Sequence, residues 1–341
     1  MKKFMRNKLI QFSAAYDAVW KRNHKKLRET LKNSRPVIGQ YPLNVQIQTV
    51  SACDGQCAFC PYQGSWHHKH PGKMSWEMYE RIIQNLRNFK IKKFCPYFGN
   101  EPLLDIGLFK KIRYAVENLH PEWVEISTNL STLSADNLRE IKEILPRVPH
   151  EIWVSFHGAS KESYEDIMAL SFEKTLNNVI RLVELAQGEP LNIVIRGAGT
   201  PRNEEANLKN WFGKKEYYAF WERELSGFKK RPEISFFTYH DRAGSKQLKD
   251  KEMSFNTIIR DDLNEFYCMR FDKWLHFLYT GEPILCCMDY NRETAFCENI
   301  KDKTIEGLFS SRRFIELIKK GTGMIESEKD FICKRCISPG G

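Results

Sequence analysis

The central part of the chain alternates short apolar runs with longer amphipathic stretches. The short runs are rich in β-branched and aromatic residues, which favour strands, and they cover Val45–Val50, Lys92–Phe98, Trp123–Thr128, Glu151–Phe156, Leu191–Ile195 and Glu233–Thr238. Between them apolar residues recur at helical spacing over Ser75–Phe89, Leu108–Leu119, Ala135–Ile144, Phe172–Ala186 and Glu205–Leu225. This regular alternation of strands and helices predicts an α/β fold, with a parallel sheet and helices outside it.

The segment 1–42 carries a different pattern. From Phe4 to Leu31, basic residues alternate with apolar ones at about the spacing of one helix face. This pattern predicts an amphipathic helix that packs on the body of the protein, and the stretch from Pro36 to Pro42 ends it. A helix that lies on a membrane surface or on nucleic acid is the alternative.

The composition indicates the class of protein and the kind of partner that it favours. Apolar residues make up 42% of the 341 residues, which is ample for a packed core, and this length favours about two domains. No run is long enough to span a bilayer and no signal segment follows Met1, so we expect a cytoplasmic protein without a membrane partner. The net charge of +10 favours an acidic partner, although scattered surface lysine accounts for much of it.

Three of the ten cysteines follow the first predicted strand closely. Cys53, Cys57 and Cys60 form a C-x3-C-x2-C loop. Iron-sulfur cubanes normally take four cysteines, so three would leave one iron open to a ligand that is not protein. A structural zinc site is one alternative, although its thiolates usually come as C-x2-C pairs. A disulfide framework is another, and a reducing cytoplasm disfavours it.

The loop resembles the cluster loop of the radical S-adenosylmethionine (radical SAM) superfamily, including the aromatic Phe59 before the last cysteine. Phe98–Leu104 resembles the Gly-Gly-Glu-Pro segment of that family, with Asn100 in place of the second glycine, and Ile126–Leu130 resembles its third-strand segment. The three motifs come in the family's order at predicted strand ends. The resemblance implies a partial (β/α)6 barrel, which we place at residues 43–250.

The resemblance also implies cofactors. Cys53, Cys57 and Cys60 would hold a 4Fe-4S cluster, and S-adenosylmethionine would chelate its open iron. Cleavage by one electron from an external reductant, such as flavodoxin or ferredoxin, would yield a 5′-deoxyadenosyl radical that abstracts a substrate hydrogen. The implied contacts to S-adenosylmethionine are Phe59, Gly99, Asn100, Glu101, Ser127, Thr128, Asn129, Ser155 and Arg196. His157, at the end of the fourth strand, is a candidate acid or base, with a structural role as the alternative.

The last quarter of the chain carries further cysteines. Four of them resemble the cysteines of the Twitch form of the SPASM domain. They are Cys268, Cys286 at the end of a G-x4-C element, and the pair Cys333 and Cys336. The resemblance implies a small α+β domain at residues 251–341 that holds an auxiliary 4Fe-4S cluster on these four thiolates. A four-cysteine zinc site is the alternative.

One position in this region departs from the sulfatase-maturing relatives. Those enzymes have an aspartate directly after the G-x4-C cysteine, and it accepts a proton from the substrate. Here the residue is Cys287, which we interpret as a candidate donor of a hydrogen atom or a proton. Asp289 is the nearest carboxylate in sequence and the alternative base.

The resemblance leaves the substrate open. Modification of a ribosomally made peptide or of a protein side chain is the leading hypothesis, with a separate recognition protein presenting the peptide. The alternatives are a small-molecule dehydrogenase or epimerase that acts on an aminocyclitol or sugar, and an RNA-modifying enzyme. No RNA-binding motif is visible in the sequence, so nucleic acid is not expected. The hypothesis without an enzymatic activity is an iron-sulfur electron carrier or scaffold.

Overall fold

The computed structural model of the chain describes residues 18–199, 212–238, 242–245 and 260–336. Residues 1–17 of the predicted N-terminal helix lie outside this range, as does 200–211, where the predicted helix Glu205–Leu225 begins. The described part of the N-terminal helix, α1, covers 18–32.

Eight strands within the described residues form one sheet in the linear order β6-β5-β4-β3-β2-β1-β7-β8. The strands are β1 (Leu43–Ile47), β2 (Ile91–Cys95), β3 (Trp123–Thr128), β4 (His150–Ser155), β5 (Ile193–Gly199), β6 (Glu233–Thr238), β7 (Trp274–Phe277) and β8 (Pro283–Ile284). All neighbours run parallel except β7 and β8. The α/β class with a parallel sheet is confirmed, and the six predicted strands are β1 to β6.

Helices follow the strands as the sequence pattern predicts. After α1 they are α2 (Trp66–Lys69), α3 (Trp76–Leu86), α4 (Leu108–Leu119), α5 (Ala135–Ile144), α6 (Lys161–Met168), α7 (Phe172–Gly188), α8 (Lys214–Glu224), α9 (Ile305–Leu308), α10 (Arg312–Gly321) and α11 (Ile332–Arg335). Several begin at serine N-caps whose hydroxyl oxygen accepts a backbone N–H, as at Ser75, Ser134, Ser160 and Ser171. The Ser134 N-cap explains why α5 begins at Ala135, as predicted.

The strand β7 extends the parallel sheet beyond the six predicted units. It pairs with β1, so that Asn44 lies beside Trp274 and Ile47 beside Phe277. Leu275 and Phe277 are fully buried in the same apolar cluster as Ile47. The C-terminal region and the first strands of the barrel therefore share one core.

The two larger apolar clusters lie on the helix-covered outer face of the sheet. One joins β1, β2 and β7 to α1, α3 and the C-terminal helices, and the other joins β3 to β6 with the helices α4 to α8. Because side chains alternate along a strand, the inner face carries polar residues such as Gln46, Glu125 and Arg196. None of the helices in the described part of the chain combines the length and apolarity that crossing a bilayer requires.

Candidate active site

The cysteine loop lies between β1 and α2 and is fixed to the C-terminal end of α6. Gln56 donates its backbone N–H to the carbonyl of Met168 at 3.0 Å, and Ala58 donates to Ile167 at 2.7 Å. The sulfur of Cys57 lies 3.5 Å from the sulfur of Met168. These contacts hold the loop compactly against the barrel, so its shape is set by a helix that the sequence pattern did not predict.

Cys53, Cys57 and Cys60 are all half-buried in this loop. Burial raises the pKa of the Cys53 thiol, and the charges of Glu101 and Cys57 raise it further. Burial likewise raises the pKa of Cys57, with Cys60 adding to the effect. Thiolates crowded in this way need a positive centre beside them, which a coordinated metal provides. The donor set therefore fits an iron-sulfur cluster held at three corners.

Glu101 ties the ends of the second and third strands together. Its side chain is 2% exposed, and its carboxylate accepts hydrogen bonds from the Leu103 N–H at 3.0 Å, the Thr128 hydroxyl at 2.5 Å and the Asn129 N–H at 2.7 Å. Burial raises the pKa of Glu101 to about 7, although these hydrogen bonds act in the opposite direction. The carboxylate fixes the segment around Thr128 and Asn129.

Asp54, which sequence reasoning did not single out, ties the cysteine loop to the same strand end. It accepts hydrogen bonds from the side-chain amide of Asn129 at 3.0 Å and from the hydroxyl of Ser131. The oxygen of the Asn129 amide accepts the Ser131 N–H at 2.8 Å. The cysteine loop and the ends of β2 and β3 thus form one hydrogen-bonded unit, which we call the Asp54 clamp: Asp54, Glu101, Thr128, Asn129 and Ser131.

The segment after β2 leaves a polar group without a partner. Gly99 has a φ of +61°, and a Cβ at this position would lie 3.3 Å from the ring of His67, so glycine suits both the backbone and the space. The side-chain oxygen of Asn100 accepts the Phe98 N–H at 2.9 Å. Its Nδ2 is buried with no hydrogen-bond partner among the described residues. Such a donor needs an acceptor that the described part of the chain does not supply.

Arg196 lies on the inner face in the middle of β5, in register with Ser155 at the end of β4. Its guanidinium stacks 3.9 Å from the ring centre of Trp153 and 4.9 Å from that of Phe237. Burial lowers its pKa. Within the described residues it makes no hydrogen bond or ion pair, so its N–H edge is available for an anion. Ser127 and Ser155 are half-buried on the same face.

His157 is a neutral imidazole in the structure. Its Nδ1 accepts the backbone N–H of Ala198 at 2.9 Å, so the ring proton sits on Nε2. Burial lowers its pKa to about 3, and the charges of Arg196 and Arg242 contribute. The ring meets Phe59 edge to face at 4.9 Å, and Phe59 is itself 4% exposed. His157 can donate a hydrogen bond at neutral pH but does not change its charge there.

A buried ion pair inside the barrel was not predicted. Glu125 accepts a hydrogen bond from Lys93 at 2.5 Å, and Tyr97 donates its phenol to the same carboxylate. The thiol of Cys95 lies 3.9 Å from Glu125, and burial raises the pKa of both Tyr97 and Cys95. The sequence signal was charge inside two strands, Lys92 and Lys93 in β2 and Glu125 in β3.

A second set of cysteines lines one cavity in the C-terminal region. Its lining includes the four cysteines predicted as auxiliary ligands, Cys268, Cys286, Cys333 and Cys336. Apolar side chains such as Phe266 and Leu285 form much of the remaining wall. Four thiols around one cavity fit the donor set of a 4Fe-4S cluster. In the part of the chain that is described, no three histidine, cysteine or carboxylate side chains are arranged to hold a single metal ion.

Cys287 and Asp289 lie in different surroundings, although they are close in sequence. The thiol of Cys287 accepts a hydrogen bond from Nε of Arg270 at 3.3 Å. Asp289 is 1% exposed, and its carboxylate accepts hydrogen bonds from the N–H groups of Asn291, Glu293 and Thr294 and from the Thr294 hydroxyl. These bonds place Asp289 at the centre of a turn, whereas Cys287 is hydrogen-bonded to Arg270, which lines the cavity of the four cysteines, called the auxiliary cavity below.

Comparison with known proteins bears on these motifs directly. Residues 47–209 match the sequence model of the radical SAM superfamily, and this range contains the cysteine loop and the Asp54 clamp. The chain carries a radical SAM domain. The resemblance drawn from the motifs is confirmed, and with it a 4Fe-4S cluster and S-adenosylmethionine as the cofactors of this domain.

Several solved structures share the fold of this chain. BtrN in complex with AdoMet and 2-DOIA superposes with a TM-score of 0.55 at 14% identity, over 88% of this chain and 95% of BtrN. Streptococcus suis SuiB bound to the precursor peptide SuiA gives 0.53 at 14% identity, over 92% of this chain and 75% of SuiB. Native anSMEcpe with bound AdoMet gives 0.51 at 20% identity, over 81% of this chain and 83% of anSMEcpe. No curated protein sequence matches the chain.

Proposed function

We propose that the chain cleaves S-adenosylmethionine reductively and abstracts a hydrogen atom from a side chain of a ribosomally made peptide or protein. The observation that carries the proposal is the Asp54 clamp. Through it, a loop of three thiols is held against the polar ends of β2 and β3. A cofactor bound to those thiols would therefore face the open, polar side of the sheet.

Cys53, Cys57 and Cys60 would hold the 4Fe-4S cluster of this site. When bound together, the cluster and S-adenosylmethionine supply one-electron cleavage of the sulfonium and a 5′-deoxyadenosyl radical. The chain's own task is to orient the cofactor and keep the space around it dry. The half-buried loop and the edge-to-face packing of Phe59 on His157 support this task.

Several polar groups are suited to hold the methionyl and ribose parts of the cofactor. The unpartnered Nδ2 of Asn100 would donate to an acceptor, and the guanidinium of Arg196 would pair with a carboxylate through its N–H edge. Ser127 and Ser155 would donate from the adjacent strand ends. Glu101, Thr128 and Asn129 already bind one another, so their first role is to fix the backbone of this surface, with Gly99 allowing close approach.

In the C-terminal region we propose an auxiliary 4Fe-4S cluster on Cys268, Cys286, Cys333 and Cys336. Their common cavity supports this assignment. Cys287 is the adjacent thiol that would deliver a hydrogen atom or a proton to the substrate, because Asp289 is already saturated by hydrogen bonds within its turn. His157 would serve as a neutral hydrogen-bond donor.

The substrate class rests on charge and on relatives of the same fold. The net charge of +10 suits an acidic peptide, and both SuiB and anSMEcpe have been crystallised with peptides. A small aminocyclitol-like substrate is the second candidate. The observation that favours it is the shared fold with BtrN, which has been crystallised in complex with 2-DOIA.

The test is substrate-stimulated formation of 5′-deoxyadenosine. The chain is reconstituted with iron and sulfide without oxygen, reduced with dithionite and given S-adenosylmethionine, with Cys57→Ala as the control. Acidic peptides in one arm and aminocyclitols in the other are added, and both nucleoside and substrate masses are followed. We expect the peptides to raise the yield and to change in mass, with an effect that weakens as salt increases. Stimulation by aminocyclitols alone would overturn the peptide assignment.

A further inference from the structure

A buried arginine lies against the predicted auxiliary ligands. Arg270 belongs to the short 3-10 helix Met269–Phe271, is 7% exposed and helps to line the auxiliary cavity. Its Nε donates to the sulfur of Cys287 at 3.3 Å, and its Nη1 lies within hydrogen-bond distance of the sulfur of Cys268, at 3.8 Å. The guanidinium therefore bridges one predicted cluster ligand and the extra thiol beside the cluster.

The placement has an electrostatic consequence. A cluster that accepts an electron gains one negative charge, and a nearby buried cation stabilises the reduced form more than the oxidised form. The effect is large in a poorly screened interior. Hydrogen bonds to cluster sulfur and net charge are also the main levers by which a protein sets a cluster's potential. Arg270 supplies both at the auxiliary site.

The surroundings of the first cluster have the opposite sign. Asp54 follows Cys53 directly in the cysteine loop, and Glu101 is buried beside the same loop, where its backbone N–H donates to Ala52 at 2.8 Å. Carboxylates next to a cluster oppose its reduction and lower its potential. The chain thus puts carboxyl groups beside one set of cysteines and a guanidinium beside the other.

We propose that Arg270 raises the reduction potential of the auxiliary cluster, so that this cluster accepts an electron more readily than the radical SAM cluster. The proposal rests on the auxiliary cluster of the proposed function. The step it concerns is a one-electron reduction of the auxiliary cluster, with the electron supplied by a chemical reductant in the test. Arg270 is a positioning residue here, since it acts on the cluster through the thiols.

The experiment is a redox titration of the full chain, monitored by electron paramagnetic resonance. Added S-adenosylmethionine identifies the radical SAM cluster, because only the cluster with an open iron changes its spectrum. Arg270→Gln removes the charge but keeps an amide donor, and Arg270→Lys keeps the charge but loses the planar fork. In Arg270→Gln we expect the ratio of reduced to oxidised auxiliary cluster at a fixed potential to fall about tenfold, or ~59 mV for a one-electron couple. In Arg270→Lys it should stay near the wild-type value, and the radical SAM cluster should not change in either variant.

An unchanged ratio in Arg270→Gln would overturn the proposal, as would equal shifts in the two variants. Should Arg270→Gln lose its auxiliary cluster, Arg270→Met, which also removes the charge, takes its place: a tenfold fall in the ratio supports the proposal and an unchanged ratio refutes it. The iron content of the wild type distinguishes failure of this proposal from failure of the proposed function. A wild-type chain with about four iron atoms rather than about eight, the content of two 4Fe-4S clusters, would refute the auxiliary cluster itself.

Discussion

The side-chain amide of Asn129 donates a hydrogen bond to Asp54 at 3.0 Å. The backbone N–H of the same asparagine donates to Glu101 at 2.7 Å. One residue at the end of β3 therefore fixes both the cysteine loop and the segment after β2. Because three chain segments meet at Asn129, small changes in the clamp should alter cofactor binding without unfolding the sheet.

Loss of the Asp54 carboxylate should weaken binding of S-adenosylmethionine. Asp54→Ala removes a carboxylate that accepts two hydrogen bonds, each worth about 1 kcal/mol, so we expect the dissociation constant to rise by up to about thirtyfold. Equilibrium binding to the reconstituted protein measures it. Asp136→Ala, which removes an exposed carboxylate of α5, is the matched control. Equal affinity in the two variants would show that the clamp does not position the cofactor.

The N–H edge of Arg196 should contribute to recognition of a carboxylate. Arg196→Lys loses the planar fork and the stacking on Trp153, and we expect about tenfold weaker binding of S-adenosylmethionine. The control is Arg223→Lys, because Arg223 also lies over an aromatic ring, that of Phe220, but on the surface. If Arg196→Lys binds S-adenosylmethionine as the wild type does, Arg196 has another ligand.

The two sets of cysteines should bind their iron-sulfur clusters independently of each other. Cys333→Ala should lose the auxiliary cluster and about half of the iron, yet still form 5′-deoxyadenosine, because the cysteine loop and the Asp54 clamp are untouched. Iron analysis and nucleoside assays measure the two effects. Loss of both clusters from this single variant would contradict separate sites.

His157 should make the protein less stable in acid. Its pKa is about 3 in the folded chain and about 6.5 when unfolded. Below pH 6.5 the unfolded chain therefore binds a proton that the folded chain does not, and the free energy of unfolding falls as pH drops from 6.5 towards 3. The slope from this residue reaches about 1.4 kcal/mol per pH unit.

Denaturant unfolding at several pH values checks this expectation. His157→Gln should flatten the slope between pH 6.5 and 4, whereas His68→Gln, at an exposed position, should not. The activity profile should show no ionisation of His157 near pH 7. An unchanged slope in His157→Gln would mean that the buried ring is not the source of the acid sensitivity.

Local signals made most of the sheet predictable. Runs such as Trp123–Thr128 and Glu233–Thr238 coincide with β3 and β6, because their β-branched and aromatic residues fit a buried strand. The helix α6 was missed, since its charged residues conceal the apolar face of Tyr164, Ile167 and Met168. The pairing of β7 with β1 is a contact between distant segments, and no local pattern reports it.

The same distinction holds at the site. The three cysteines of the loop and the pair Cys333 and Cys336 stand close in sequence, so spacing alone indicates their chemistry. The role of Asp54 depends on its hydrogen bond with Asn129, 75 residues away. The role of Glu125 depends on its bond with Lys93, 32 residues away. Arg270 gains its importance from a cavity that forms only when the C-terminal segments pack. Such roles depend on tertiary structure.

The most direct test of the account is formation of 5′-deoxyadenosine by the anaerobically reconstituted, dithionite-reduced chain. The account predicts the nucleoside in the wild type and in Cys333→Ala, and none in Cys57→Ala. Contradiction would come from wild-type protein that is colourless, binds zinc at the cysteine loop and yields no nucleoside with any reductant.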